Sequence, residues 1–94
     1  MGRYTIQITN EFKRTFKLCK KRGKEMFLLK QVVDLLEEHG ELPLMYKPHK
    51  LSNKKGNGTW ECHIQPDWLL VWQQDDHVLT ILLLSTGSHS DLFK

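Results

Sequence analysis

Three apolar segments follow one another closely in the C-terminal half of this 94-residue chain, and short polar turns separate them. They are predicted as strands at about residues 59–64, 68–73 and 78–84, joined by turns at 65–67 and 74–77. Turns this short connect antiparallel neighbours, because a parallel pair needs a crossover of roughly a dozen residues or more. The C-terminal half is therefore predicted to fold as a three-stranded antiparallel meander.

The N-terminal half carries the pattern of one strand followed by two helices. Apolar and polar residues alternate over residues 4–9, which predicts a half-buried strand. Apolar side chains then recur at three- and four-residue spacing in two segments that end near Gly23 and at Gly40, as in a helical hairpin. Residues 41–58, with their prolines and glycines, are predicted as a loop. The predicted fold class is α+β: an N-terminal strand, a two-helix hairpin and the meander in one curved sheet, forming a single domain over residues 1–94.

Basic residues are clustered along the chain. Lys and Arg total 14 against 11 for Asp and Glu, and eight of these cations lie between Lys13 and Lys30, where Glu25 is the one acid. Such a cluster suits a polyanion or an acidic protein partner. A solvated helix face explains the same pattern.

The cysteines and the hydropathy pattern indicate the cellular location of the protein. Cys19 and Cys62 are far apart and belong to no metal-binding or redox motif, so both are predicted to be free thiols. No apolar run reaches the roughly 18 residues that a membrane span needs, and the N-terminus has no signal-peptide pattern. A reducing cytoplasm, without membrane association, is the predicted location.

The meander gathers three potential acid–base side chains at one end of the sheet. Because successive antiparallel strands reverse direction, the first turn and the segment after the last strand lie at the same end. His63, Asp67 and His89 belong to that end, whereas His77, in the second turn, is expected at the opposite end.

Imidazoles and a carboxylate in one place are suited to proton transfer. A metal site is less favoured, because His63 and Asp67 are not spaced as a recognised ligand pair. A Cys62 nucleophile is also disfavoured, since strand alternation sends Cys62 and His63 to opposite faces. Metal-free RNA cleavage needs a base for the 2′-hydroxyl, an acid for the leaving 5′-oxygen and cations for the phosphorane charge, and the sequence contains all three.

Two aromatic residues stand beside this group. Trp68 follows Asp67, and Phe93 lies close to His89. Aromatic faces next to basic groups hold unstacked RNA bases. The alternative is that Trp68 starts a buried strand and Phe93 is a C-terminal plug.

These residues resemble the YafQ-type branch of the RelE/ParE toxin superfamily. The resemblance is carried by Trp60-Glu61-Cys62-His63-Ile64-Gln65-Pro66-Asp67-Trp68-Leu69-Leu70-Val71, by Gly87-Ser88-His89-Ser90-Asp91-Leu92-Phe93, by His49-Lys50-Leu51 and by residues 24–29. It implies a ribosome-dependent mRNA endonuclease, or mRNA interferase, of a type II toxin–antitoxin module. Such a toxin enters the ribosomal A site, cuts mRNA, binds a cognate antitoxin and uses no cofactor or metal.

The resemblance also implies the site residues. The implied catalytic set is His49, His63, Asp67 and His89. His49 and His89 lead for proton transfer, and the other two orient groups and substrate. Glu61 precedes the site on its strand and is a candidate to orient a neighbour.

The implied RNA contacts include aromatic and basic residues. Trp68 and Phe93 correspond to the aromatic pair that helps to hold mRNA. Several relatives carry an arginine where this chain has Trp60, so the phosphate-binding cation is expected from the loop lysines instead. These are Lys50, Lys54 and Lys55.

Two alternative functions remain open from the sequence. One is a non-catalytic, ParE-like binding module, and the histidine set argues against it because ParE-like relatives lack that set. The other is a metal-dependent nuclease that uses the same histidines, which a chelator would inhibit.

Overall fold

A computed structural model describes residues 2–51 and 58–92 of the chain. In chain order its elements are β1 (Thr5–Ile8), α1 (Asn10–Lys21), α2 (Met26–His39), a 3-10 turn (Leu44–Tyr46), β2 (His49–Lys50), β3 (Thr59–Gln65), β4 (Trp68–Asp75), β5 (Thr80–Gly87) and α3 (His89–Leu92). The strands form one five-stranded sheet in the order β1-β5-β4-β3-β2. Only the β1–β5 pair is parallel among them, and β3, β4 and β5 form the predicted antiparallel meander. The α+β prediction is confirmed.

Local sequence signals set the ends of the two long helices. Thr9 caps α1, because its hydroxyl oxygen accepts a hydrogen bond of 2.9 Å from the backbone N–H of Phe12. Gly40 ends α2 in the left-handed conformation at φ 71°. A Cβ at this glycine would collide with the ring of Tyr4, so the position needs glycine for space as well as for conformation.

The helices cover one face of the sheet. The buried cluster joins Phe12 and Cys19 of α1, Leu29, Val32 and Leu36 of α2, and Cys62, Leu70, Trp72, Ile81 and Leu83 of the strands. Because side chains alternate along a strand, Glu61 and His63 lie on the face opposite Cys62. Glu61 and His63 therefore lie on the face away from the helices. No helix in the described ranges is long and apolar enough to cross a membrane.

The last strand begins later than predicted. The sequence assigned Val78 to a strand over residues 78–84, but β5 covers Thr80–Gly87 and Val78 is exposed in the preceding turn. The carboxylate of Asp75 accepts hydrogen bonds from the backbone N–H groups of His77 and Val78, at 2.9 and 3.3 Å. These bonds extend the turn, so an apolar residue ends up outside the sheet.

The segment predicted as a loop contains a short strand. His49 and Lys50 form β2, which pairs with Glu61 and Trp60 of β3. Two residues are too few to produce a visible alternation, which is why the sequence gives no sign of this strand. The pairing fixes His49 beside the meander.

Candidate active site

Asp67 and His89 meet at the end of the sheet. Asp67 lies in the turn between β3 and β4, and His89 is the first residue of α3, directly after β5. One oxygen of Asp67, Oδ1, accepts hydrogen bonds from the backbone N–H of His89 at 3.0 Å and lies 2.7 Å from its Nδ1. The backbone N–H and the ring of His89 hold the pKa of Asp67 below its usual value. The predicted convergence is confirmed, and with Nδ1–H directed at a carboxylate, a neutral His89 carries its lone pair on Nε2.

His63 belongs to the same cluster. Its ring centroid lies 5.8 Å from that of His89, with the ring planes at 50°. His63 Nδ1 is 3.3 Å from the carbonyl oxygen of Pro66, in the turn that also carries Asp67. The β3–β4 register shifts between His63 and Gln65, a bulge of the kind that redirects side chains near active sites.

His49 faces two acceptors. Its Nε2 lies 3.1 Å from Oε1 of Glu61, and its Nδ1 lies 3.1 Å from the carbonyl oxygen of Lys47. The contacts to the carboxylate and the carbonyl are both hydrogen bonds when each ring nitrogen carries a proton. The arrangement therefore accommodates His49 as an imidazolium. The sequence does not predict how far His49 lies from the other histidines. The pairing of β2 with β3 fixes its position.

Glu61 is an unusual residue for a buried strand position. Its side chain is only 8% exposed, yet it carries a carboxylate, and its second oxygen, Oε2, has no hydrogen-bond partner within the described part of the chain. Buried carboxylates are normally paired, so the unpartnered oxygen makes Glu61 a candidate functional residue. Glu61 and His63 point to the same face about 6.8 Å apart along the strand. Glu61 thus holds His49 on the sheet face that also carries His63, as a candidate that orients its neighbour.

Trp68 is not available to hold a base. Its side chain is 0% exposed and lies in the hydrophobic core. The indole N–H donates a 3.0 Å hydrogen bond to the hydroxyl of Thr86, and the ammonium of Lys24 lies 5.5 Å from the ring centroid. The prediction that Trp68 contacts RNA is therefore wrong, because no face of the ring is open. Its alternative, that it starts a buried strand, is confirmed.

The other predicted RNA contacts fall largely outside the described residues. Phe93, Lys54 and Lys55 lie there, and their roles stay predictions. Lys50 is described: it pairs with Trp60, and its ammonium lies 5.9 Å from the centroid of that ring. Strand alternation directs Lys50 to the face opposite His49, so its cation is not part of the histidine cluster.

His77 and Cys62, which the sequence analysis excludes from the chemistry, lie away from the site. His77 is in the turn at the other end of the sheet. Cys62 is fully buried, and desolvation, followed by the charge of Glu61, raises its pKa to about 12. A thiol with this pKa is not a nucleophile at neutral pH.

We expect native Cys62 to resist alkylation by iodoacetamide at mildly alkaline pH, because the thiolate is the reacting form and burial disfavours it. Mass spectrometry of the peptide that contains Cys62 measures the modified fraction. The same protein unfolded in guanidinium is the control and should be modified fully. Rapid modification of the native thiol would show that the strand opens far more readily than its packing indicates.

Metal ligands are not assembled in the described parts of the chain: no group of three or more His, Cys, Asp and Glu side chains there is placed to hold an ion. The site instead contains two histidine–carboxylate pairs, His89 with Asp67 and His49 with Glu61. Such pairs fix imidazole orientation and tautomer for proton transfer.

Solved structures of small bacterial toxins share this α+β fold. A family model described as the bacterial toxin of type II toxin–antitoxin system, YafQ, matches residues 4–94. The chain belongs to this YafQ toxin family.

Relatives and solved structures agree with this assignment. The chain is 35% identical over 89 residues to the mRNA interferase toxin YafQ of Escherichia coli strain B, covering 94% of each chain. It is similar to the toxin in a crystal structure of the E. coli DinJ–YafQ complex, with a TM-score of 0.88, 33% identity and coverage of 97% of this chain and 99% of that one. A metal-bound toxin from Helicobacter pylori superposes with a TM-score of 0.83 at 37% identity, covering 96% of this chain and 99% of that one.

Proposed function

We propose that this chain is an mRNA interferase, which cleaves ribosome-bound mRNA by metal-independent acid–base attack of the 2′-hydroxyl. The observation that carries the proposal is the pair of histidine–carboxylate contacts, His89 with Asp67 and His49 with Glu61, together with the ring of His63 beside that of His89. Relatives at about one-third identity are named mRNA interferase toxins. The proposal treats residues 1–94 as one toxin domain that acts in the cytoplasm.

His89 is the proposed general base. Asp67 accepts from its Nδ1, so that the neutral ring presents a lone pair on Nε2. This is the arrangement by which a carboxylate orients a catalytic histidine and stabilises the imidazolium that forms. The base removes the proton of the 2′-hydroxyl, and O2′ attacks the adjacent phosphorus.

His49 is the proposed general acid. With acceptors on both ring nitrogens, the imidazolium is the form that its surroundings accommodate. As the P–O5′ bond breaks, the proton on Nε2 passes from its hydrogen bond with Glu61 to the 5′-oxygen, which leaves a 2′,3′-cyclic phosphate, a 5′-hydroxyl and a neutral His49. Glu61 holds the ring in place before the transfer.

His63 lies beside the proposed base. Its ring lies beside His89, and Pro66 fixes its Nδ1 side. This position suits a residue that orients the scissile phosphate through a hydrogen bond or, when protonated, through charge. Lys50, Lys54, Lys55 and Phe93 remain proposed RNA contacts.

The proposed protein partner is a cognate antitoxin, as in the complex solved for the E. coli relative. The exposed side of α1 offers an apolar groove lined by Ile8, Phe12 and Phe16. Lys13, Lys17 and Lys20 surround it. An acidic amphipathic segment complements both the charge and the apolar floor of this groove.

The function is tested by incubating the purified chain with mRNA, either free or on ribosomes with an empty A site, and mapping breaks by primer extension. We expect cleavage only on the ribosome, and undiminished cleavage with a chelator selective for transition metals, which leaves ribosomal magnesium in place. Cleavage that the chelator removes and added metal restores would favour the metal-dependent nuclease. No cleavage under either condition would favour the binding module.

A further inference from the structure

The helix that carries His89 is one turn long and depends on outside support. α3 covers four residues, His89–Leu92, and an isolated helix of this length is not stable in water. Asp67 holds its first residue through the backbone and the ring of His89. A second anchor, Asp91, lies two residues further along the same turn.

Asp91 connects the start of α3 to another element. Its Oδ2 accepts hydrogen bonds from the backbone N–H of Ser88, at 2.9 Å, and from Nη1 of Arg22, at 2.8 Å. In return, the hydroxyl of Ser88 accepts from the backbone N–H of Asp91 at 3.2 Å. This exchange is a capping box, with Ser88 as the cap residue and an acidic residue three positions later. The Ser88 N–H and the Arg22 guanidinium lower the pKa of Asp91, so the carboxylate is charged at neutral pH.

Arg22 is fixed to the rigid part of the molecule. It is the residue that ends α1, and its backbone N–H donates to the carbonyl oxygen of Leu18 at 3.0 Å. Phe12 and Cys19 of the same helix are buried in the core. The guanidinium of Arg22 therefore reaches Asp91 of α3 from the end of a helix that is packed into the core.

The backbone leaves room for this contact at Gly87. A Cβ there would lie 2.8 Å from Oδ2 of Asp91 and 3.0 Å from its Cβ. A side chain at position 87 would press on the carboxylate of Asp91, which would have to shift. Gly87 thus leaves space for Asp91, and Ser88 forms the capping box with it.

We propose that Arg22 and Asp91 are a positioning pair that holds α3, and with it His89, against Asp67. Exposed ion pairs contribute little to overall stability, and the Arg22 side chain is 47% exposed. The expected effect is therefore on the placement of His89 and not on folding. The catalytic consequence rests on the proposed function, whereas the placement of His89 is measurable without RNA.

The first test is NMR titration of the histidine rings in the full-length toxin. We expect Asp91→Asn and Arg22→Met each to shift the ring resonances of His89 and to change its titration midpoint. The changes in the double variant should be no larger than those in either single variant. Asp34→Asn is the matched control: it removes the same charge from an exposed 2.9 Å pair with Lys30 on α2 and should leave His89 unchanged. Unmoved His89 resonances in both variants would overturn the proposal.

The second test is cleavage of ribosome-bound mRNA. Misplacement of a catalytic group by about 1 Å lowers rates by up to about 100-fold, so we expect kcat to fall about 10- to 100-fold with KM unchanged in Asp91→Asn. Gly87→Ala should have the same effect, and Arg22→Lys should retain more activity than Arg22→Met. If wild-type protein does not cleave but the His89 resonances move as expected, the proposed function fails and the positioning pair stands. Equal kcat in wild type and Asp91→Asn would overturn the pair.

Discussion

Replacement of His89 by alanine is expected to lower single-turnover cleavage of ribosome-bound mRNA by about 10²- to 10⁴-fold, the usual contribution of general acid–base catalysis. The fold should survive, because the side chain is 55% exposed and no core packing is lost. Growth gives a second measurement: induction of the wild-type gene should stop growth, and the His89→Ala gene should be tolerated. His77→Ala is the control, since His77 is an exposed histidine at the opposite end of the sheet.

The pH dependence of cleavage separates His89 from His49. A base must be deprotonated and an acid protonated, so the rate should rise and then fall with pH. The residual cleavage rate of His89→Ala should no longer rise with pH on the acidic side. The residual rate of His49→Ala should no longer fall with pH on the alkaline side. If both variants cleave as fast as wild type, the catalytic assignment is wrong. If each variant loses the opposite limb, the two roles are exchanged.

Strand order and turn length were sufficient to predict the meeting of Asp67 and His89. The prediction needs only that two short connections reverse the chain twice, and it makes no use of side-chain packing. For the same reason His77 was placed at the far end. Topology of this kind is visible in a sequence because it follows from where the turns lie.

The position of His49 was not visible from periodicity. β2 is two residues long, and its place is set by hydrogen bonds to Glu61 and Trp60, which are distant in the chain. Strand pairing across a long connection leaves no periodic signal in the sequence. Only the family resemblance indicates that His49 belongs to the site. The structure adds its contact with Glu61.

The error at Trp68 has a physical cause. Asp67 is exposed in a turn, and adjacency in sequence suggested that its neighbour shared this exposure. Trp68 instead begins β4, and the first residue of a strand can face either side. Here it faces the helices, where the hydroxyl of Thr86 satisfies its indole N–H.

Trp68→Ala is accordingly expected to reduce the free energy of unfolding by about 3–5 kcal/mol, the cost of removing a large buried aromatic side chain. Denaturant unfolding at fixed pH measures this change. Trp68→Phe keeps most of the packing but removes the indole donor from Thr86, so its loss should be smaller. Trp72→Phe is the matched control, because Trp72 is also buried and donates its indole N–H, to Gln74, away from the Asp67–His89 end.

The unfolding data decide between a packing role and a base-stacking role for this residue. A base-stacking residue contributes to RNA binding and leaves the stability of the free protein nearly unchanged, whereas a packing residue lowers stability in the absence of RNA. Because Trp68 directly follows Asp67, the cavity in Trp68→Ala also loosens the support of the Asp67–His89 pair, and cleavage should fall with stability. Trp68→Phe should recover most of both. Full stability with weakened RNA binding in Trp68→Ala would restore the stacking role, and it would require this end of the core to open when RNA binds.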